Sequence, residues 1–198
     1  MKPENPLAFD KNGITFSVLV QSPSATVTPL QIVCFFDSNK NQHYEGGTDA
    51  VNAHFSGAIA ELRSNGIFSG RELETLLITP TQQQIPADQL LLIGLGDPDE
   101  VSLNLFEKVG YLIVLEAAKL NVTAFCFAPS LKDAGVSGLA ADDVSAALAK
   151  GMQHALDTTA ILSSKGLMRI SVLKKITLLA GAPQAENAFK GLQRFFGN

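Results

Sequence analysis

The segment Gln89 to Gly96, QLLLIGLG, constrains this chain more than any other. Leu90, Leu91, Leu92 and Ile93 run together into Gly94. An unbroken apolar run of this length reads as a strand covered on both faces, which is the condition of a mostly parallel α/β sheet. The strand stops at Gly94-Leu95-Gly96, and a long amphipathic helix is expected from Asn104 to Leu120, with Ser102 as its N-cap. Units of this kind place binding sites at their strand ends.

The rest of the chain supplies similar material. Strands are expected at 14–20, 30–36, 73–79, 121–128 and 172–180. A helix is expected from about 49 to 65, with Val51, Phe55, Ile59 and Leu62 on one face. A second runs on from Asp142 as its cap, and a last one from Pro183 to Phe196. Six strands and four helices, mostly alternating, predict a three-layer α/β/α sandwich with a mixed, mostly parallel sheet. The strands at 14–20 and 30–36 are joined by a loop without a helix and could pair antiparallel, so a mixed sheet is expected. Residues 1–13 read as loosely ordered. No linker or internal repeat divides the 198 residues, which predict a single domain.

Composition narrows the function. Hydrophobic residues make up 46% of the chain and charged ones 17%, enough for a core and too little charge for disorder. The net charge of −4 gives no global basic field, so nucleic acid is an unlikely partner. Lys165, Arg169, Lys174 and Lys175 do cluster late in the chain, and read as a solvated rim. Cys34 and Cys126 lie in apolar runs and read as core residues. No run has the length of a membrane span or a signal peptide, so a soluble, cytoplasmic protein is expected.

Few residues suggest chemistry. A dinucleotide fingerprint would need glycine at position 99, where Asp99 stands after Pro98 and before Glu100. DPDE at 97–100 lacks the spacing of a calcium loop. Gly46-Gly47 before a helix start offers free amides to a phosphate, and Asp37 past a strand end offers hydrogen bonds to a ribose or an adenine amine. An ordinary loop and helix start account for the same residues. His43, His54 and His154 have no metal spacing, and Ser137 sits in a GVSGL run that misses the nucleophile-elbow pattern. Glu61, Glu107 and Glu116 read as solubilising charge. No catalytic residue, metal ligand or cofactor is predicted.

Two stretches taken together carry a resemblance. SGAIAELRSNGIFSGRELETLLI at 56–78, with its Phe68-Ser69-Gly70 turn, is followed by QLLLIGLGDPDEVSLNLFEKVG. Their order, with the later Ala149-Lys150-Gly151 helix, resembles the N-terminal domain of the leucyl aminopeptidases, peptidase family M17, over roughly residues 30–182. The resemblance implies a macro-domain-like fold and places the metal and lysine chemistry of that family in a separate C-terminal domain. The Asn-Thr-Asp-Ala-Glu-Gly-Arg motif of that domain is missing: the single Thr-Asp-Ala, at 48–50, runs into Val51. The expected function is non-catalytic protein association, with a second copy or an aminopeptidase-like partner. The alternatives are a binding module for ADP-ribose or a similar nucleotide, using Asp37, Gly46 and Gly47, and one part of a split or truncated metallo-aminopeptidase.

Overall fold

A computed structural model of the protein describes residues 6–40, 46–81, 83–129, 131 and 138–197. Its strands form a mixed seven-stranded sheet with helices, the expected α/β class. The chain divides into two compact units: residues 1–20, 102–125 and 139–198 form the first, and residues 21–101 and 126–138 the second.

The first unit opens with a hairpin. Strands β1 (Leu7–Lys11) and β2 (Ile14–Leu19) pair antiparallel, Leu7 opposite Val18 and Lys11 opposite Ile14. Asn12 and Gly13 turn between them with φ of 53° and 77°. Two successive positive φ angles make the turn whose twist matches that of the strands. Residues 7–11 are therefore ordered, in contrast to the loose N-terminus read from sequence. β2 continues in parallel to β7 (Lys175–Leu179), with Phe16 beside Ile176. The sheet is mixed as expected, but its antiparallel partner for β2 is β1 rather than the second predicted strand.

Helices α3 (Leu103–Lys119), α4 (Ala141–Ser164) and α5 (Ala182–Phe196) belong to the same unit. Ser102 caps α3 as expected, its Oγ accepting from Leu105 N at 3.3 Å. Phe106, Val109, Ile113 and Ala117 form its buried stripe. Asp142 does not cap α4. The cap position is Ala140, without a side-chain bond, and Asp142 instead receives Arg194 Nη1 from α5 at 3.2 Å, while Arg194 Nη2 reaches Asp143 at 2.7 Å. Phe196 of α5 packs its ring 4.2 Å from that of Phe16.

The second unit is built on β3 (Thr28–Phe35), β5 (Ala87–Gly94) and β4 (Thr75–Ile78). β3 and β5 run parallel from Thr28 opposite Ala87 to Phe35 opposite Gly94. β4 pairs antiparallel on the outer side of β5, Leu76 opposite Leu92. Leu90 to Ile93 are buried on both faces, as the apolar run predicts. β6 (Ala124–Ala128) neighbours β3. The buried Gln31 amide ties β3 to β6, its Nε2 donating to Cys126 O at 3.1 Å.

Over this sheet lie α1 (Gly46–His54) and α2 (Ala58–Ser64). Val51, Phe55 and Ile59 close a core with Val33, Phe35, Phe68, Leu90 and Leu92. The single helix read over 49–65 is thus two. Ser56 and Gly57 take φ of 53° and 84°, which an α-helix does not allow. Asn52 Oδ1 then caps the restart by accepting from Ala60 N at 3.0 Å.

Candidate functional site

In the second unit β3, β5 and the loop before β4 end together, and their main chains are stitched to one another. Asp37 N donates to Gly96 O at 2.8 Å, and Ser38 N to Ser69 O at 2.9 Å. The turn closing β5 is fully engaged. Gly94 N donates to Glu74 O at 2.8 Å, Leu95 N to Phe35 O at 2.8 Å, and Gly96 N to Gly70 O at 2.9 Å. A phosphate cradle needs such amides turned outward, whereas here each has a carbonyl of its own chain. The contact is close: a Cβ on Gly94 would overlap Arg71 O and stand 2.5 Å from Gly70 C.

One carboxylate organises the loop. Ser69 N, Gly70 N and Arg71 N all donate to Glu74 Oε2, at 3.0, 2.8 and 3.0 Å, and Arg71 Nη2 reaches Oε1 at 3.3 Å. Successive amides converging on one oxygen form an anion-binding nest, and its occupant is the side chain of Glu74. Partial burial raises the pKa of that carboxyl, but the Arg71 guanidinium and the Arg71 and Gly70 amides outweigh it and hold it below the usual range. Sequence reasoning missed Glu74. Its only signal is an acid placed three residues after a Ser-Gly-Arg turn.

Arg63 of α2 supports the same end from below. Its side chain is buried, Nη2 donates to Phe36 O at 2.8 Å, and the guanidinium lies 5.1 Å from the Phe35 ring centroid. Gly70, at φ 86°, passes so close that a Cβ would sit 3.0 Å from Arg63 Nη1.

The residues expected to bind a ligand are placed as follows. Asp37 stands past the end of β3, its Oδ1 accepting from Asn39 N at 2.9 Å and Asn39 Nδ2 at 3.1 Å. Gly46 and Gly47 begin α1, while residues 41–45, which connect them to Lys40, lie outside the described residues. Lys40 pairs with Asp97 at 3.2 Å, and Asp97 Oδ1 caps the turn at 98–100 by accepting from Asp99 N at 3.0 Å. That backbone bond, then the Lys40 ammonium, hold the Asp97 carboxyl below its ordinary range against an opposing effect of desolvation. Lys40 is exposed and Asp97 half-buried, and a pair open to solvent on one side stabilises little. Lys40→Ala is expected to leave the thermal midpoint unchanged in a melt followed by circular dichroism.

His43 and Ser137 lie outside the described residues. His54 is exposed, and His154 is exposed beside the Tyr111 ring, 4.9 Å away. Cys34 and Cys126 are buried, as core residues would be, and burial pushes the Cys34 pKa up. Among the described residues no three His, Cys, Asp or Glu side chains converge to hold a metal ion, and no helix is long and apolar enough to cross a membrane.

The family model of the N-terminal domain of the cytosol aminopeptidase family matches residues 32–165. The chain belongs to that family. The match falls within the stretch whose motifs carried the resemblance and includes the second half of β3, the Glu74 nest and the Gly94-Leu95-Gly96 turn. No curated protein sequence matches the chain. Among solved structures, a mutant of tomato leucine aminopeptidase superposes with a TM-score of 0.62 at 18% identity, over 93% of this chain and 36% of that one. The chain thus spans about a third of the length of that aminopeptidase. A mutant of the Oceanobacillus iheyensis macrodomain, solved with ADPR, superposes with a TM-score of 0.66 at 14% identity, over 98% and 97% of the two chains. A Trypanosoma brucei macrodomain in complex with ADP gives 0.58 at 16% identity, over 89% and 68%. These likenesses establish a macrodomain-like fold for this cytosol aminopeptidase N-terminal domain.

Proposed function

We propose that this family member is a non-catalytic association module, acting as one domain that joins a second copy of itself or an aminopeptidase-like partner. The observation that carries the reading is the closure of the strand ends, where α/β folds usually hold their ligands. The amides of 94–96 are held there by main-chain carbonyls, and those of 69–71 by Glu74. Apolar side chains stand exposed elsewhere on the described surface. Sedimentation velocity over a wide range of protein concentration, alone and with a purified leucine aminopeptidase, is expected to show a heavier species in at least one series. A monomer throughout both series overturns the reading.

The second reading is a small-ligand module for an ADP-ribose-like nucleotide at Asp37, Gly46 and Gly47. It is favoured by the start of α1 at Gly46-Gly47 and by the macrodomain solved with ADPR. A ligand-specific rise in melting temperature with ADP-ribose, absent in Asp37→Ala, supports this second reading over association. Hydrolysis of a leucyl chromogenic substrate by peptidase-free protein would support the remaining alternative, a part of a metallo-aminopeptidase.

A further inference from the structure

We infer that the end of α4 and the segment after it form a docking surface for an acidic, leucine-bearing helix of a partner protein. The inference rests on the association reading and names the surface and the chemistry of the partner. Ile161, Leu167 and Ile170 are 57%, 73% and 80% exposed. Single exposed apolar residues are ordinary, but three within ten positions concentrate apolar surface on one short stretch.

The backbone that presents them is fixed. Lys165 N donates to Ile161 O, Gly166 N to Ser163 O at 3.0 Å, and Leu167 N to Leu162 O at 2.9 Å. With Gly166 at φ 69°, these are the bonds of a Schellman stop. In that motif the residue after the glycine usually folds onto the helix, yet Leu167 faces solvent. Beyond the stop, Ser163 Oγ donates to Arg169 O at 3.0 Å and Leu173 N to Ser171 Oγ at 3.3 Å. A surface held this way needs little ordering on binding.

The charge on the stretch selects the partner. Lys165 and Arg169 alternate with the apolar residues, and Lys174 and Lys175 follow; all four are exposed. The sequence between Thr158 and Ala185 holds no Asp or Glu. Lys119, Lys150 and Arg194 of the same unit each meet a carboxylate, whereas none of these four does among the described residues. In a two-fold dimer the same patch would meet itself, setting like charges against like. A partner with carboxylates around a leucine stripe meets both the apolar and the basic parts, and such complementarity speeds and orients encounter.

The test uses the full chain and a synthetic helical peptide with a leucine stripe flanked by glutamates. Its lysine-flanked counterpart and vesicles of phosphatidylserine and phosphatidylcholine are the comparisons. Calorimetry is expected to show saturable binding of the glutamate peptide that weakens with salt. Leu167→Glu with Ile170→Glu, and separately Lys165→Glu with Arg169→Glu, are each expected to lower that affinity by at least about tenfold. These side chains are exposed, so the variants should melt with the unaltered protein. Equal binding of the two peptides, unaltered binding by either variant, or tighter binding to the vesicles than to the peptide overturns the inference. Self-association that persists in both variants, with no peptide binding, overturns it while leaving the association reading intact.

Discussion

Gly151→Ala is expected to destabilise the protein by about 3 kcal/mol, and to lower its melting temperature by about 6–12 °C. At Gly151 the backbone of α4 touches that of α3. A Cβ there would overlap Glu107 O and stand 2.7 Å from Tyr111 N and 2.8 Å from Glu107 C. Gly110 of α3 makes the reciprocal contact, where a Cβ would overlap Leu148 O and lie 2.9 Å from Leu148 C. All the opposing atoms are main chain, so no rotamer relieves the clash and the helices must separate along a buried seam. Alanine recovers roughly 1 kcal/mol of helix propensity, which is smaller than the overpacking. Gly138→Ala is the control. Among the described residues nothing lies within 4 Å of its Cβ position, and it should be neutral or stabilising by about 0.5 kcal/mol. A Gly151→Ala protein melting with the unaltered one would show that the two helices do not meet there.

Glu74→Gln is expected to destabilise by about 2 kcal/mol at neutral pH, since glutamine keeps an acceptor oxygen for the nest but loses its charge. The side chain is only 17% exposed, so water does not readily take its place. The pH dependence has a definite sign. The folded carboxyl titrates below its ordinary 4.5, so its contribution is present above that value and is lost as pH falls through the lower, folded value. Urea midpoints of the two proteins should therefore converge as the pH drops below 4.5. A gap that stayed constant into acid would mean that the charge of Glu74 is not what holds the loop.

The sheet is legible wherever apolar residues run unbroken. QLLLIGLG and IVCFF supply strands buried on both faces, the pattern of a covered parallel sheet. Ser102 is legible as a cap because a helix stripe begins directly after it. The first hairpin is harder to see, although Asn12-Gly13 is a strong short-range turn signal. Its first strand, β1, is exposed along much of its length and carries little apolar pattern. The break at Ser56-Gly57 is hidden by periodicity: Val51, Phe55 and Ile59 share one core, so the stripe survives a change of helix. Asp142 shows the limit of cap reading, since an acid near a helix start serves equally well as the partner of a distant arginine. Glu74 is beyond reach for a different reason. Convergence of three amides on one oxygen depends on the path of a loop, and residue types do not encode that path locally. Asp37 and the Gly46-Gly47 start of α1 are legible as elements, and the ligand they would share stays a proposal.

The glutamate in the nest also changes what keeps the loop at the strand end in order. A loop that closes around a dissolved anion loses translational freedom each time it binds, and its order rises and falls with the concentration of that anion. Here the anion is attached to the chain three residues away. The order of the loop over the Gly-Leu-Gly turn therefore follows the protonation of Glu74 and not the concentration of a dissolved anion.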